Sequence, residues 1–267
     1  MVLIGDMLRR DAKLYGRKVA IIEGPQRFTY SEINSRANRL AHGLTRLGLK
    51  KNEKVAFMGN NCHEFVEYYF ALAKCGLVSV PVNARFSSDE AAYIVNHSES
   101  AVLICTEDME MTVSKMRKNT PGLRSVVSTG KNSRAFLSYE SILNGGSDEE
   151  PVQELTPDDI ALIMYTSGAT GVPKGVITTH RNIMSNTNTM CLELRIVPED
   201  ITLLAMPLFH NGGLWPTMSQ VYRGGTTVLM PHFDVEGMLK KIDKEKVTFL
   251  DDVKVKGKVQ SIKIYSI

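Results

Sequence analysis

The segment IALIMYTSGATGVPKGV, residues 160–176, decides how this chain is read. It opens with an apolar run of strand length and passes directly into Gly, Ser and Thr. Gly168, Gly171 and Gly175 remove side chains, so the backbone can take unusual dihedral angles and approach a ligand closely. Thr166, Ser167 and Thr170 offer hydroxyls, successive N–H groups can form a concave anion site, and Lys174 can reach a phosphate as a point charge. Pro173 stiffens the exit. A solvated turn needs one or two such residues, not a run of them after a buried strand. The mixture suits a phosphate-rich ligand. Two other Gly-rich patterns fail. Against GxxxxGK[ST], Pro173 takes the place of the second glycine and Gly175 that of the magnesium-binding hydroxyl; GxGxxG does not occur.

Working outward, short apolar runs alternate with amphipathic helical patterns. Thr29 and Glu32 have capping-box spacing, and Ile33, Ala37, Leu40, Ala41, Leu44 and Leu47 follow on one helical face, ended by Gly48. Strands are predicted at 55–58, 77–82, 101–105 and 125–128, and helices at 63–75, 87–97 and 108–119. Beyond the loop, 176–179 reads as a returning strand and 180–194 as a helix. Strands at 201–205, 226–230 and 247–250 alternate with helices at 213–222 and 235–244. This is an α/β class built from βαβ units with mainly parallel sheets covered on both faces. Residues 143–157 are polar and rich in breakers, and read equally as a linker between subdomains or as a long loop within one domain.

Composition fits a folded globular chain: 267 residues, 43% hydrophobic and 23% charged. A formal net charge of +3, with the charges mixed along the chain, gives no reason to expect a nucleic-acid partner. Cys62, Cys75, Cys105 and Cys191 are scattered in apolar stretches and read as buried thiols of a reducing compartment. No cysteine or histidine pair sits at ligand spacing, so no metal site is expected. The start, MVLIGDMLRRDAK, is too charged for a signal peptide, and no apolar run approaches the roughly 20 residues of a membrane span. A cytoplasmic location is therefore expected.

The loop YTSGATGVPKGV, residues 165–176, is very similar to the phosphate-binding motif of the adenylate-forming (AMP-binding) superfamily, which holds acyl-CoA synthetases, peptide-synthetase adenylation domains and luciferases. Ala169 stands where Ser or Thr is commoner, which removes one hydroxyl contact. FTYSEINSRANRLAHGLTRLGLKKNEKVAFMGNN, residues 28–61, resembles the first capped helix and strand, and YYFALAKCGLVSVPVN, 68–83, the next helix–strand step. MPLFHNGG, 206–213, resembles the loop that carries an aromatic–His pair beside the acyl and nucleotide pocket.

The resemblance implies the layered αβα subdomains of that superfamily's large N-terminal domain. It implies a fatty acid–CoA ligase using ATP, Mg2+ and CoA, with aryl-acid ligases and peptide-synthetase adenylation domains as alternatives. Thr166, Ser167, Gly168, Ala169, Thr170, Gly171 and Lys174 would hold the phosphates, Lys174 and His210 would serve the reaction, and Phe209, His210, Asn211 and Gly212 would line the acid pocket. His180 reads as structural, and His42, His63, His97 and His232 as surface or satisfied core residues. Partners are then the carboxylic acid, ATP and CoA, with the oligomeric state left open. Residues 1–250 read as an incomplete N-terminal AMP-binding domain. Residues 251–267, DDVKVKGKVQSIKIYSI, carry no family motif, although a hairpin turning near Gly257 fits their alternation. The superfamily's adenine-, ribose- and magnesium-binding segments and its C-terminal lysine have no counterpart here. The chain alone is accordingly expected to show very weak or no ligase activity, and the rival reading is a non-catalytic nucleotide- or pyrophosphate-binding module.

Overall fold

A computed structural model describes residues 2–166, 172–253 and 262–265, with side chains described for 2–166 and 172–248. In chain order the first elements are α1 (Ile4–Leu14), β1 (Val19–Glu23), β2 (Gln26–Thr29), α2 (Tyr30–Arg46), β3 (Lys54–Met58), α3 (His63–Cys75) and β4 (Val78–Val82). They are followed by α4 (Ser88–His97), β5 (Ser100–Cys105), α5 (Glu110–Met116), β6 (Ser125–Ser128), β7 (Leu137–Ser138) and α6 (Tyr139–Asn144). Then come β8 (Ile160–Thr166), β9 (Lys174–Thr179), α7 (His180–Glu193), β10 (Ile201–Leu204), α8 (Asn211–Arg223), β11 (Thr226–Leu229) and α9 (Val235–Glu245). The last strands are β12 (Phe249–Val253) and β13 (Ile262–Tyr265).

Among the described residues, one sheet runs β7-β6-β5-β3-β4-β8-β9, and only the β8–β9 pair is antiparallel. A second runs β10-β11-β1-β2, with β2 antiparallel to β1. Three apolar clusters order the layers. One fills the space between the sheets with Tyr30, Leu40, Phe65, Phe70, Ile183 and Leu214, drawn from α2, α3, α7 and α8. A second covers the far face of the larger sheet with Ile94, Val95, Val113 and Met116 from α4 and α5. The third places Met238 and Ile242 of α9 on the outer face of the smaller sheet, over Ile22, Leu203 and Val228. The result is an αβαβα stack whose two sheets share a central helical layer, which agrees with the expected layered architecture and mainly parallel sheets.

Local signals act as the sequence suggests. The Thr29–Glu32 and Ser87–Glu90 pairs form reciprocal capping boxes at α2 and α4. Gly76 closes α3 in the left-handed region at φ 72°. Differences have physical reasons. The helix expected over 108–119 is interrupted: 3-10 turns at Glu107–Met109 and Arg117–Asn119 flank the seven residues of α5. The strand expected over 247–250 begins at Phe249: Lys246 ends α9 with φ 55°, and the Thr248 N–H bonds back to β10 through the Ile201 carbonyl at 2.9 Å. The sequence reading set no expectation for α1, β1 and β2, although Ile4, Met7 and Leu8 of α1 stand at the i, i+3, i+4 spacing of a helical face. In α1 the apolar Ile4, Met7 and Leu8 are interleaved with Asp6, Arg9, Arg10 and Asp11, and β2 has only four residues.

Residues 145–157 lie against α2 and α3. The buried Lys74 ammonium donates to Asn34 Oδ1, Asn38 Oδ1 and Glu150 Oε2 at 2.6–2.7 Å, and Lys51 donates to the Glu154 carbonyl at 3.0 Å. After this segment the chain re-enters the same large sheet as β8, beside β4. At the end of the chain, β12 pairs antiparallel with β13, Val253 opposite Ile262. The expected turn at Gly257 lies outside the described residues.

Candidate phosphate loop and acid cleft

The loop that opens the sequence reading begins where β8 stops and ends where β9 starts. Ser167, Gly168, Ala169, Thr170 and Gly171 lie outside the described residues. Thr166 and Lys174 are ladder partners at the mouth of the β8–β9 hairpin, and both are exposed. Among the described residues no carboxylate pairs with Lys174. A cation held at a loop mouth without a counter-ion suits an incoming polyanion. Gly175 has a different task from the one its composition suggests. A Cβ there would lie 2.8 Å from Ile163 Cγ2 and 3.2 Å from Tyr165 Cζ, so this glycine makes room for side chains of β8.

Helix α4 holds both ends of the loop. His97 Nδ1 and the Tyr165 hydroxyl are 2.8 Å apart, and Tyr93 donates to the Pro173 carbonyl at 3.3 Å. Burial pushes the Tyr165 phenol up to about 12, so it stays protonated at neutral pH. Tyr93 and His97 are one helical turn apart, with ring centroids at 5.4 Å. The sequence reading gave neither a role at the loop. Their i, i+4 spacing was the available signal, but nothing in the chain order says which loop lies below them.

The 206–213 loop is fixed from the other side. Asn61, buried just past the end of β3, donates to the carbonyls of Met206 and Met230 at 3.0 Å each and accepts from Leu208 N–H at 2.7 Å. Tyr69 adds a bond to the Leu208 carbonyl at 2.8 Å. Gly213 packs so tightly that a Cβ would sit 2.3 Å from the Pro207 carbonyl oxygen. With the turn fixed, His210 becomes the N-cap residue of α8 in an extended conformation, its ring next to Phe209 at 4.8 Å.

Thr166 and the 209–212 turn share a cleft. A cleft of about 440 Å³ is lined by Thr166 on one side and by Phe209, His210, Asn211 and Gly212 on another. Pro81, Asn83, Phe86, Ile94, Met164 and Tyr165 complete it. The sequence reading missed Phe86, Ile94 and Met164, which look like ordinary core residues in their own segments. Partial desolvation and the nearby Arg85 guanidinium lower the His210 pKa, so its ring is neutral at pH 7. Phe209 also lines a second cleft of about 300 Å³, with Asn60, Arg85 and Asp108, at the carboxyl ends of β3, β4 and β5.

Three other histidines have partners in the structure. His180 is buried at the start of α7, where its Nδ1 accepts from Ile4 N–H at 3.4 Å, and burial lowers its pKa to about 4. That is a structural histidine, as read from the sequence. His42 meets the Glu149 carbonyl at 3.1 Å, and His63 meets Glu23 at 2.6 Å.

The sequence model of the family described as AMP-binding enzyme matches residues 8–253. The chain belongs to that family. A long-chain-fatty-acid–CoA ligase of Mycobacterium tuberculosis (strain H37Rv) is 34% identical over 249 residues, covering 91% of this chain and 48% of the relative. A feruloyl-CoA synthase of Amycolatopsis sp is 32% identical over 248 residues, 92% of this chain and 48% of the relative. The inhibitor-bound crystal structure of the N-terminal domain of FACL13 from Mycobacterium tuberculosis superposes with a TM-score of 0.87 at 32% identity, over 93% of this chain and 62% of that one. The chain thus spans about half the length of the curated relatives it matches, and those relatives are acyl-CoA ligases. Among the described residues no helix is long and apolar enough to cross a membrane.

Proposed function

We propose that this chain supplies the phosphate loop and one wall of the acid cleft of an ATP-dependent acid–thiol ligase. In the first half-reaction a carboxylate oxygen attacks the α-phosphorus of ATP, the bond to the β-phosphate oxygen breaks, and acyl-AMP and pyrophosphate form. In the second, the CoA thiolate attacks the acyl carbon and AMP leaves, giving the thioester. Thr166, Ser167, Gly168, Ala169, Thr170, Gly171 and Lys174 are assigned to the β- and γ-phosphates. Lys174 offsets charge on the departing pyrophosphate. Phe209, His210, Asn211 and Gly212 line the channel of the acid, and the neutral His210 ring offers a hydrogen bond to it without adding charge.

The observation that carries this reading is that Thr166 and the Phe209–Gly212 turn face one cleft, in a member of the AMP-binding family. Lys174, without a carboxylate partner among the described residues, fits the phosphate group. Mg2+ would travel with the nucleotide. Fatty acids are the first substrate class to test and aryl acids the second, since relatives act on each. A cytoplasmic setting suits these water-soluble co-substrates.

For the 267-residue chain itself, we propose phosphate binding with little or no turnover, because the relatives carry out the reaction with about twice the length. Calorimetric titration with pyrophosphate and with MgATP, alongside an acid-dependent pyrophosphate-release assay, tests both parts. Robust acyl-dependent release by this chain would overturn the second part. Absence of any pyrophosphate or ATP binding would overturn the first.

A further inference from the structure

We infer that Glu23, His63 and Glu64 form a binding site for a divalent first-row transition ion of the zinc kind, independent of the phosphate loop. Spacing along the chain hides this group, because Glu23 ends β1 in the smaller sheet while His63 and Glu64 open α3. The fold brings one donor atom from each within 4.8 Å of the others. His63 Nδ1 lies 2.6 Å from Glu23 Oε2 and 3.2 Å from Glu64 Oε2. Donors around one tetrahedral zinc stand roughly 3.3 Å apart, given metal–ligand distances of about 2.0–2.2 Å. An opening of a few tenths of an ångström therefore admits the ion. One imidazole and two carboxylates suit zinc and its neighbours, whereas magnesium prefers six oxygens.

The surroundings fit a ligand histidine. The other ring nitrogen, Nε2, lies 3.9 Å from Glu67 Oε1, beyond hydrogen-bond distance but on the side from which a carboxylate can orient a metal-bound imidazole after a small approach. Glu67 is fully buried and is itself fixed by Arg36 Nε at 2.6 Å and the Tyr139 hydroxyl at 2.7 Å. Phe28 stacks on the imidazole at 4.2 Å and 20°, which sets the ring plane. Without a cation, the Nδ1 proton is held by Glu23 with Glu64 close by; an ion replaces that proton and releases it to solvent. The facing charges are Glu23, Glu64 and Glu67 against Arg36, with Lys241 acting on Glu23. Bound there, the ion would join β1 of the smaller sheet to α3 of the central layer.

The test uses the chelator-stripped 267-residue chain and ZnCl2 or MgCl2 alone, by equilibrium dialysis and calorimetry. The expected result is one zinc per chain and no magnesium. Affinity should fall at least tenfold in Glu64→Gln and in His63→Ala, and should also fall as pH drops from 7.5 to 5.5 and protons compete for Nδ1. Glu64→Gln leaves the Glu23 bond to the His63 N–H in place, so its circular dichroism should match the parent. Zinc stoichiometry well below one, or equal affinity in a folded Glu64→Gln chain, would overturn the site and leave His63 as a simple ion-paired imidazolium.

Discussion

Replacing Asn61 by Ala tests how the acid-cleft loop is held. Asn61 is 3% exposed and makes three hydrogen bonds, two as donor to Met206 and Met230 carbonyls and one as acceptor from Leu208 N–H. Truncation strands the Leu208 N–H, a cost of about 1–3 kcal/mol, while each carbonyl loses a bond of about 0.5–1.5 kcal/mol net. Allowing for partial relaxation, the expected loss is about 3 kcal/mol. For a chain of this size that lowers the melting temperature by about 6–12 °C. Urea unfolding of parent and variant measures the difference at constant slope. Asn60→Ala is the control, since Asn60 makes one exposed bond, to Asp108 at 2.8 Å, and should cost under about 1 kcal/mol. A loss for Asn61→Ala no larger than the control's would refute the claim that this residue anchors the 206–213 turn.

Other outcomes follow from the same geometry. His180 has its pKa lowered to about 4, so the unfolded state binds its proton first and stability falls as pH drops from about 6.5 towards 4, by up to about 3 kcal/mol; His180→Gln should flatten that part of the stability–pH curve. His63 works in the opposite sense. Burial opposes its charge, but the bond to Glu23 and the charges of Glu67 and Glu64 win, and the pKa is raised. In metal-free protein its contribution is complete below about pH 6.5 and disappears as pH rises through the folded value, so His63→Ala should cost more at pH 6 than at pH 8.5 in thermal melts. Tyr93→Phe removes one half-buried bond to Pro173 and should change stability by less than about 1 kcal/mol, yet weaken pyrophosphate binding several-fold by calorimetry. Gly213→Ala forces a Cβ against the Pro207 carbonyl and should cost about 1–3 kcal/mol in urea unfolding.

Much of the architecture could be read from the chain because each signal was local. Thr29–Glu32 and Ser87–Glu90 announced helices, and the apolar run of β5 announced a buried strand. The shared central layer could not be read this way. It depends on β1 returning beside β11 more than 200 residues later, a pairing that no local pattern encodes. The site shows the same division. The composition of residues 165–176 pointed to phosphate, and MPLFHNGG resembled a pocket loop. What joins them is non-local: Asn61 clamps one loop, and Tyr93 with His97 frames the other. An asparagine past a strand end or a tyrosine on an amphipathic helix has no distinguishing signature until the fold supplies its partner. Glu23 and His63 are the sharper case: the sequence reading assigned no role to Glu23 and took His63 as a surface or core residue, yet forty positions apart they meet at 2.6 Å.

The most direct test of the central claim is calorimetric titration of pyrophosphate into the parent chain and into Lys174→Ala, at moderate ionic strength. Lys174 is exposed and sits at the loop mouth, so its removal should leave the thermal melt unchanged. The account predicts saturable binding at one site by the parent and at least tenfold weaker binding by the variant. Equal affinity in the two proteins, or no saturable binding in either, would contradict a phosphate cradle between β8 and β9.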